Sequence, residues 1–166
     1  MAIDITHACA VSLLIPKTKE FSKESIEELS WNLKDALDLG FKDFLVGMQH
    51  GDDMCLVIAV SKAVKKLRKK GYTVRLIVAF PWRSISEDWT EKRKETYKEI
   101  TKNADEICYI SREAGRAAQW MVDNSIALIS DGYKCDDYSL AKETIDYEFS
   151  REEYWLNPHP GDQDPL

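Results

Sequence analysis

Apolar positions along the chain fall alternately into short continuous runs and into longer stretches with a three-to-four-residue spacing. The run Ala8-Cys-Ala-Val-Ser-Leu-Leu-Ile15, closed by Pro16, has the make-up of a buried strand. After it, Ile26, Leu29, Leu33, Ala36 and Leu37 share one helical face, with Ser22 placed as N-cap and Gly40 as the stop. Ser25 and Glu28 offer a second capping pair. A strand over 41–46 leads into the turn Gly47-Met-Gln-His-Gly51, and a helix follows from about Asp53 to Lys70, ending at Gly71. The β-branched run 73–80 predicts a third strand that stops at Pro81. Beyond it the pattern predicts a polar helix over 90–103, a strand over 106–110 and a helix capped by Ser111 that runs to Asn124. A fifth strand over 126–129, the turn Asp131-Gly132 and a last helix over 138–149 complete the alternation.

Five strands alternating with five helices through short loops predict an α/β domain with a mostly parallel five-stranded sheet and helices on both faces. The nearly continuous apolar strands agree, because a parallel sheet is covered on both sides. The domain is expected to span 1–149, and 150–166 reads as an acidic, Pro-containing tail. In this class ligands bind outside the carboxyl ends of the strands, so the loops after each strand are where chemistry is expected.

Composition narrows the picture. The chain has 166 residues, suited to one domain, and 44% hydrophobic and 31% charged residues exclude a disordered chain. A net charge of -6 counts against a nucleic-acid partner, since such affinity comes from neutralising phosphates. The basic cluster Lys62, Lys65, Lys66, Arg68, Lys69 and Lys70 complements a helix C-terminus. No run approaches a membrane span, and neither a secretory leader nor a C-x-x-C pair is visible. With scattered cysteines and histidines, the expectation is a cytoplasmic protein with buried free thiols, no metal and no resident cofactor.

At the loops the sequence resembles a known family. Gly47-Met-Gln-His-Gly-Asp-Asp53 is similar to the G-M-A-x-G-x-D turn of the SLOG superfamily, the Rossmann-like group that includes LOG-type nucleotide hydrolases and DprA/Smf proteins. Ala79-Phe-Pro81, Trp89, Tyr97, Ala104-Asp105 and Trp120-Met-Val-Asp-Asn-Ser125 follow in the order found in the YpsA-like branch. The resemblance covers roughly 8–147 and implies a single three-layer Rossmann-like domain, a nucleotide-derived ligand and self-association.

Three stretches depart from the branch. Ser12-Leu-Leu-Ile-Pro16 stands where T-G-H-R-P is usual, Ala117-Ala118 where an R-N pair is usual, and Cys135-Asp-Asp-Tyr-Ser139 where a G-G-T turn is usual. The hydrolase signature P-G-G-x-G-T-x-x-E has no equivalent. The resemblance with these losses implies a protein that binds, senses or sequesters a nucleotide or a cyclic ADP-ribose derivative without turning it over. Two alternatives stay open. One is a divergent hydrolase cleaving an N-glycosidic or phosphate bond with Asp53 or Asp137 as base; the other is an interaction protein that keeps only the fold.

The candidate ligand-binding residues are Ser12, Gly47, Gln49, His50, Gly51, Asp53, Trp82, Arg112, Arg116, Asp131 and Ser139. No catalytic or metal-ligating residue is assigned. Gly47 and Gly51 equally suit a tight turn, with Asp52 or Asp53 capping the next helix. Trp82 is placed to stack on a base, and Trp89 to stack or to pack on the sheet end. Arg112 and Arg116 match phosphate by charge and fork geometry, or lie on a solvated face. Asp52, Asp53, Asp131, Asp136 and Asp137 make the expected crevice acidic, so a bound phosphate needs those arginines or a cation beside it.

Overall fold

The computed structural model describes residues 5–12, 20–48, 54–83, 85–110, 116–130 and 155–156. Strands β1 (Ala8–Ser12), β2 (Asp43–Gly47), β3 (Arg75–Phe80), β4 (Glu106–Tyr109) and β5 (Ala127–Ser130) are the five expected ones. All neighbours pair in parallel, in the order β4-β3-β2-β1-β5. A two-residue strand, β6 (Trp155–Leu156), adds to the far edge of β5. It falls within the stretch read from sequence as a tail. Two residues carry no periodicity, so the alternating pattern could not reveal it.

Among the described residues, four α-helices connect the strands: α1 (Lys23–Asp38), α2 (Cys55–Lys69), α3 (Glu91–Asn103) and α4 (Arg116–Asp123). Ser22 caps α1 as expected, its Oγ accepting the Ser25 N–H at 3.1 Å. Ser25 therefore lies inside the first turn, and the second capping pair is not the helix start. Gly40 follows the helix with φ +101°, a conformation that an L side chain rarely adopts. The expected cap of α4, Ser111, lies outside the described residues. The last predicted helix, 138–149, lies outside the described residues.

Strand alternation divides the core. Cys9, Val11, Phe44, Val46, Leu76, Val78, Phe80, Ala127 and Ile129 join the packed faces of α1, α2 and α3 in one cluster. On the opposite face, Ala8, Leu45 and Ile77 pack with Cys108 and with Trp120 of α4. This division follows from handedness. Steps from β1 to β2, β3 and β4 run one way along the sheet, whereas the step from β4 back to β5 runs the other. Right-handed crossovers must then use opposite faces.

The α2–α3 side carries a polar hub. Arg68, one of the lysine-arginine cluster at the end of α2, does more than complement the helix terminus. Its guanidinium donates to the Val74 carbonyl at 2.8 Å, the Asn103 carbonyl at 2.7 Å and Asp105 Oδ2 at 2.7 Å. Asp105 in turn accepts the Leu76 N–H at 2.7 Å, and its own N–H donates to the Leu76 carbonyl at 2.8 Å. Asn103 reaches Ser61 Oγ at 2.8 Å, closing the network onto the middle of α2. No helix among the described residues is long and apolar enough to cross a membrane.

Candidate functional site

The order β4-β3-β2-β1-β5 reverses direction between β1 and β5. At such a switch point, connections leave for opposite faces and a crevice opens beyond the carboxyl ends. Three sequence candidates reach this edge. Ser12 ends β1 and pairs with Ser130 of β5, Gly47 ends β2 and pairs with Ala79, and Arg116 is the first residue of α4.

Gly47 owes its place to close packing rather than to a turn. It is the last residue of β2, and its φ is not positive. A Cβ built on it would lie 3.0 Å from Ala117 Cβ and 3.8 Å from the Ala117 carbonyl. The first turn of α4 is thus laid directly on the carboxyl end of β2. Ala117, which stands where the branch carries arginine, supplies the methyl group in that contact. The tight-turn reading of Gly47 is corrected accordingly; Gly51 lies outside the described residues.

The chain between β2 and α2 is anchored at both sides. Met48 donates its N–H to the Ala79 carbonyl at 3.0 Å and is buried, and Met54 is buried where α2 begins. Met54, not Asp52 or Asp53, is the N-cap residue of α2, and it makes no side-chain capping hydrogen bond. The first turn of α2 contains no acidic residue either. The positive end of its dipole lies at this start of the helix. Chemically, this end of the helix suits an anion.

Trp82 lies two residues beyond β3, half-buried against the main core. Trp89 packs edge-on to Tyr97 at 5.8 Å, with the Arg93 guanidinium 4.2 Å over its ring. Tyr97 packs edge-on to Phe80 at 4.8 Å and bonds to the Tyr109 hydroxyl at 2.9 Å. Arg83 covers the Tyr109 ring at 4.8 Å. The landmarks Phe80, Trp89 and Tyr97 are thus one aromatic cluster at the carboxyl ends of β3 and β4. Gln49, His50, Gly51, Asp53, Arg112, Asp131 and Ser139 lie outside the described residues, as do Asp136 and Asp137.

Burial keeps several titratable groups of the sheet neutral. In the amino-terminal half of β1 it pushes the Cys9 thiol far above the ordinary cysteine range. Burial, then the Glu106 charge, pushes Cys108 up as well. Both thiols are held protonated, which removes them as nucleophiles at neutral pH. Burial and the Tyr109 hydroxyl keep Tyr97 neutral above the usual phenol range. Among the described residues no three His, Cys, Asp or Glu side chains converge as a metal site requires.

Of the residues at this edge, Ala117, Met48 and Met54 were not among the sequence candidates. Ala117 was visible only as a departure from the branch; its contact with Gly47 needs the folded chain. Met48 was read only as part of the Gly47–Asp53 motif, and Met54 gave no signal beyond its apolarity.

No curated protein matches the chain. The model of the YpsA family, described as the YspA SLOG family, matches residues 14–144, spanning α1 to α4, every strand from β2 to β5 and the Gly47 turn. On that match, which takes in most of the chain, this protein belongs to the YpsA family of SLOG proteins.

Proposed function

We propose that the protein binds a nucleotide or nucleotide-derived signalling molecule at the carboxyl edge of β1, β2 and β5, and holds it without turning it over. The observation that carries this reading is the meeting of Gly47 with the first turn of α4 at the topological switch point. Family membership supports a nucleotide-related ligand class. The start of α2, the positive end of its dipole with no acidic residue in the first turn, suits an anionic group. Retention without turnover is favoured by Ala117-Ala118 in place of the arginine–asparagine pair. There the α4 turn contributes a methyl contact with Gly47 instead of a cation. Sensing and sequestration both fit a pocket frame kept with an altered lining. Cyclic ADP-ribose derivatives are candidate ligands, and self-association is proposed with the same family membership as its support.

The test is to purify the protein, denature it and identify the released small molecules by mass spectrometry. A stoichiometric intact nucleotide, recovered unchanged after incubation with the native protein, is the expected result. Free base with ribose phosphate would replace binding by hydrolysis. A protein that releases nothing and ignores a panel of nucleotides in calorimetry would leave an interaction protein that keeps only the fold.

A further inference from the structure

On the outer side of the helix layer, a trough runs between the start of α1, the outward face of α2 from its first residue Cys55, and α3. It consists of two cavities of about 420 Å³ each that share Phe21, Ile26, Lys62 and Lys65. Its floor is apolar, with Phe21, Ile26, Ile58 and Ile100. Its walls carry six lysines, at 23, 62, 65, 66, 69 and 92, against two glutamates, Glu20 and Glu99.

This concentration of positive charge runs against the whole chain, which carries a net -6. Lys66 is engaged by Glu27 at 2.8 Å. Among the described residues Lys62, Lys65 and Lys69 make no ion pair, and all three are exposed. They stand on one face of α2 at three- and four-residue spacings. A helix presenting carboxylates at the same spacing would meet each of them across the trough. The recessed apolar floor then receives the apolar face of that helix, the helix-in-groove mode of recognition.

We propose that this trough docks an acidic, amphipathic helical segment of a partner protein. Charge complementarity and the apolar floor together select that occupant. A phosphate polymer would meet two glutamates on the rim and find neither arginine nor an exposed stacking ring among the lining residues. A membrane surface would contact the lysines but not the recessed floor.

Selection of a displayed library of random 16-residue peptides against the full chain tests this. A protein with Lys62→Glu and Lys65→Glu serves as the counter-target, and one with Lys62→Gln and Lys65→Gln retains neutral side chains there. Thermal melts by circular dichroism verify that both variants fold. Enrichment of peptides combining carboxylates with apolar residues at helical spacing is expected. Their affinity should fall at least about tenfold on charge reversal and by less with glutamine. The proposal is overturned if no such peptides enrich, or if those selected bind the charge-reversed protein equally well. Tighter binding of phosphatidylserine vesicles or of a single-stranded oligonucleotide at these lysines would also overturn it. So would a concentration-dependent dimer that charge reversal dissolves, because the trough would then belong to a second copy of the chain.

Discussion

The two ends of the β3 region and the carboxyl edge of β2 solve different problems with similar amounts of sequence. Around β3 and β4, Arg68, Asn103 and Asp105 form a saturated polar network, and Phe80, Trp89, Tyr97 and Tyr109 form a contiguous aromatic cluster. Every one of these groups is occupied by another part of the chain. At the end of β2, by contrast, the contact is a glycine against an alanine, and the helix that follows begins without a side-chain cap. The first region spends its polar groups on the fold. The second brings strand and helix into direct contact. In an α/β domain, this difference sets the scaffold apart from the proposed binding edge.

The contrast can be broken most forcefully at Arg68. Arg68→Ala leaves the Val74 and Asn103 carbonyls and the Asp105 carboxylate without that donor. A loss of about 2–4 kcal/mol in urea unfolding is expected, with nucleotide retention unchanged where the protein remains folded. If retention fell in step with stability, scaffold and binding edge would be one unit rather than two.

At the other region, Gly47→Val forces a branched side chain against Ala117 and should cost roughly 1–3 kcal/mol. Loss of bound nucleotide should exceed what that destabilisation explains. Gly47→Ala is milder, and adding Ala117→Gly should restore part of its loss. A double-mutant cycle in thermal unfolding would then give a coupling of at least about 0.5 kcal/mol. Strict additivity would mean that the two residues do not meet.

The smallest expected effect is at Tyr97→Phe, which removes one hydroxyl pairing and should cost about 0.5–1.5 kcal/mol at neutral pH. It also sharpens the pH profile. The phenol is held neutral in the folded chain above its ordinary value of about 10, so the folded state keeps a proton that the unfolded state releases. That contribution is fully present below about pH 10 and is lost as pH rises beyond it. Unfolding followed from pH 8 to 11 should show a decline that is shallower in Tyr97→Phe.

Much of the scaffold was legible because its signals are local. Ser22 caps α1 through its own hydroxyl, Gly40 stops it through a φ that only glycine adopts easily, and the apolar runs of β1, β2, β3 and β5 are buried on both faces. Phe80, Trp89 and Tyr97 were readable as ordered landmarks, although only the fold shows that they touch. The failures have a common cause. Arg68 looked like one more cation at a helix end and Gly47 like a turn residue, because each assignment used neighbours in sequence. The partners that decide them, Asp105 and Ala117, are distant in the chain. The candidate edge was locatable from topology, and three of its residues, Ser12, Gly47 and Arg116, were named from sequence.

The position of β1 has a consequence for biosynthesis. It precedes its sheet partners in the chain and lies between β2 and β5, with Cys9 opposite Phe44 on one side and Ala127 on the other. Strands β1 to β4 can assemble as soon as they emerge, but one flank of β1 stays unpaired until most of the chain has been translated. A nascent protein stalled before residue 127 therefore presents an apolar strand edge to its surroundings. Truncated products should be aggregation-prone and depend on chaperones, whereas loss of residues after β5 should spare the nascent sheet that hazard.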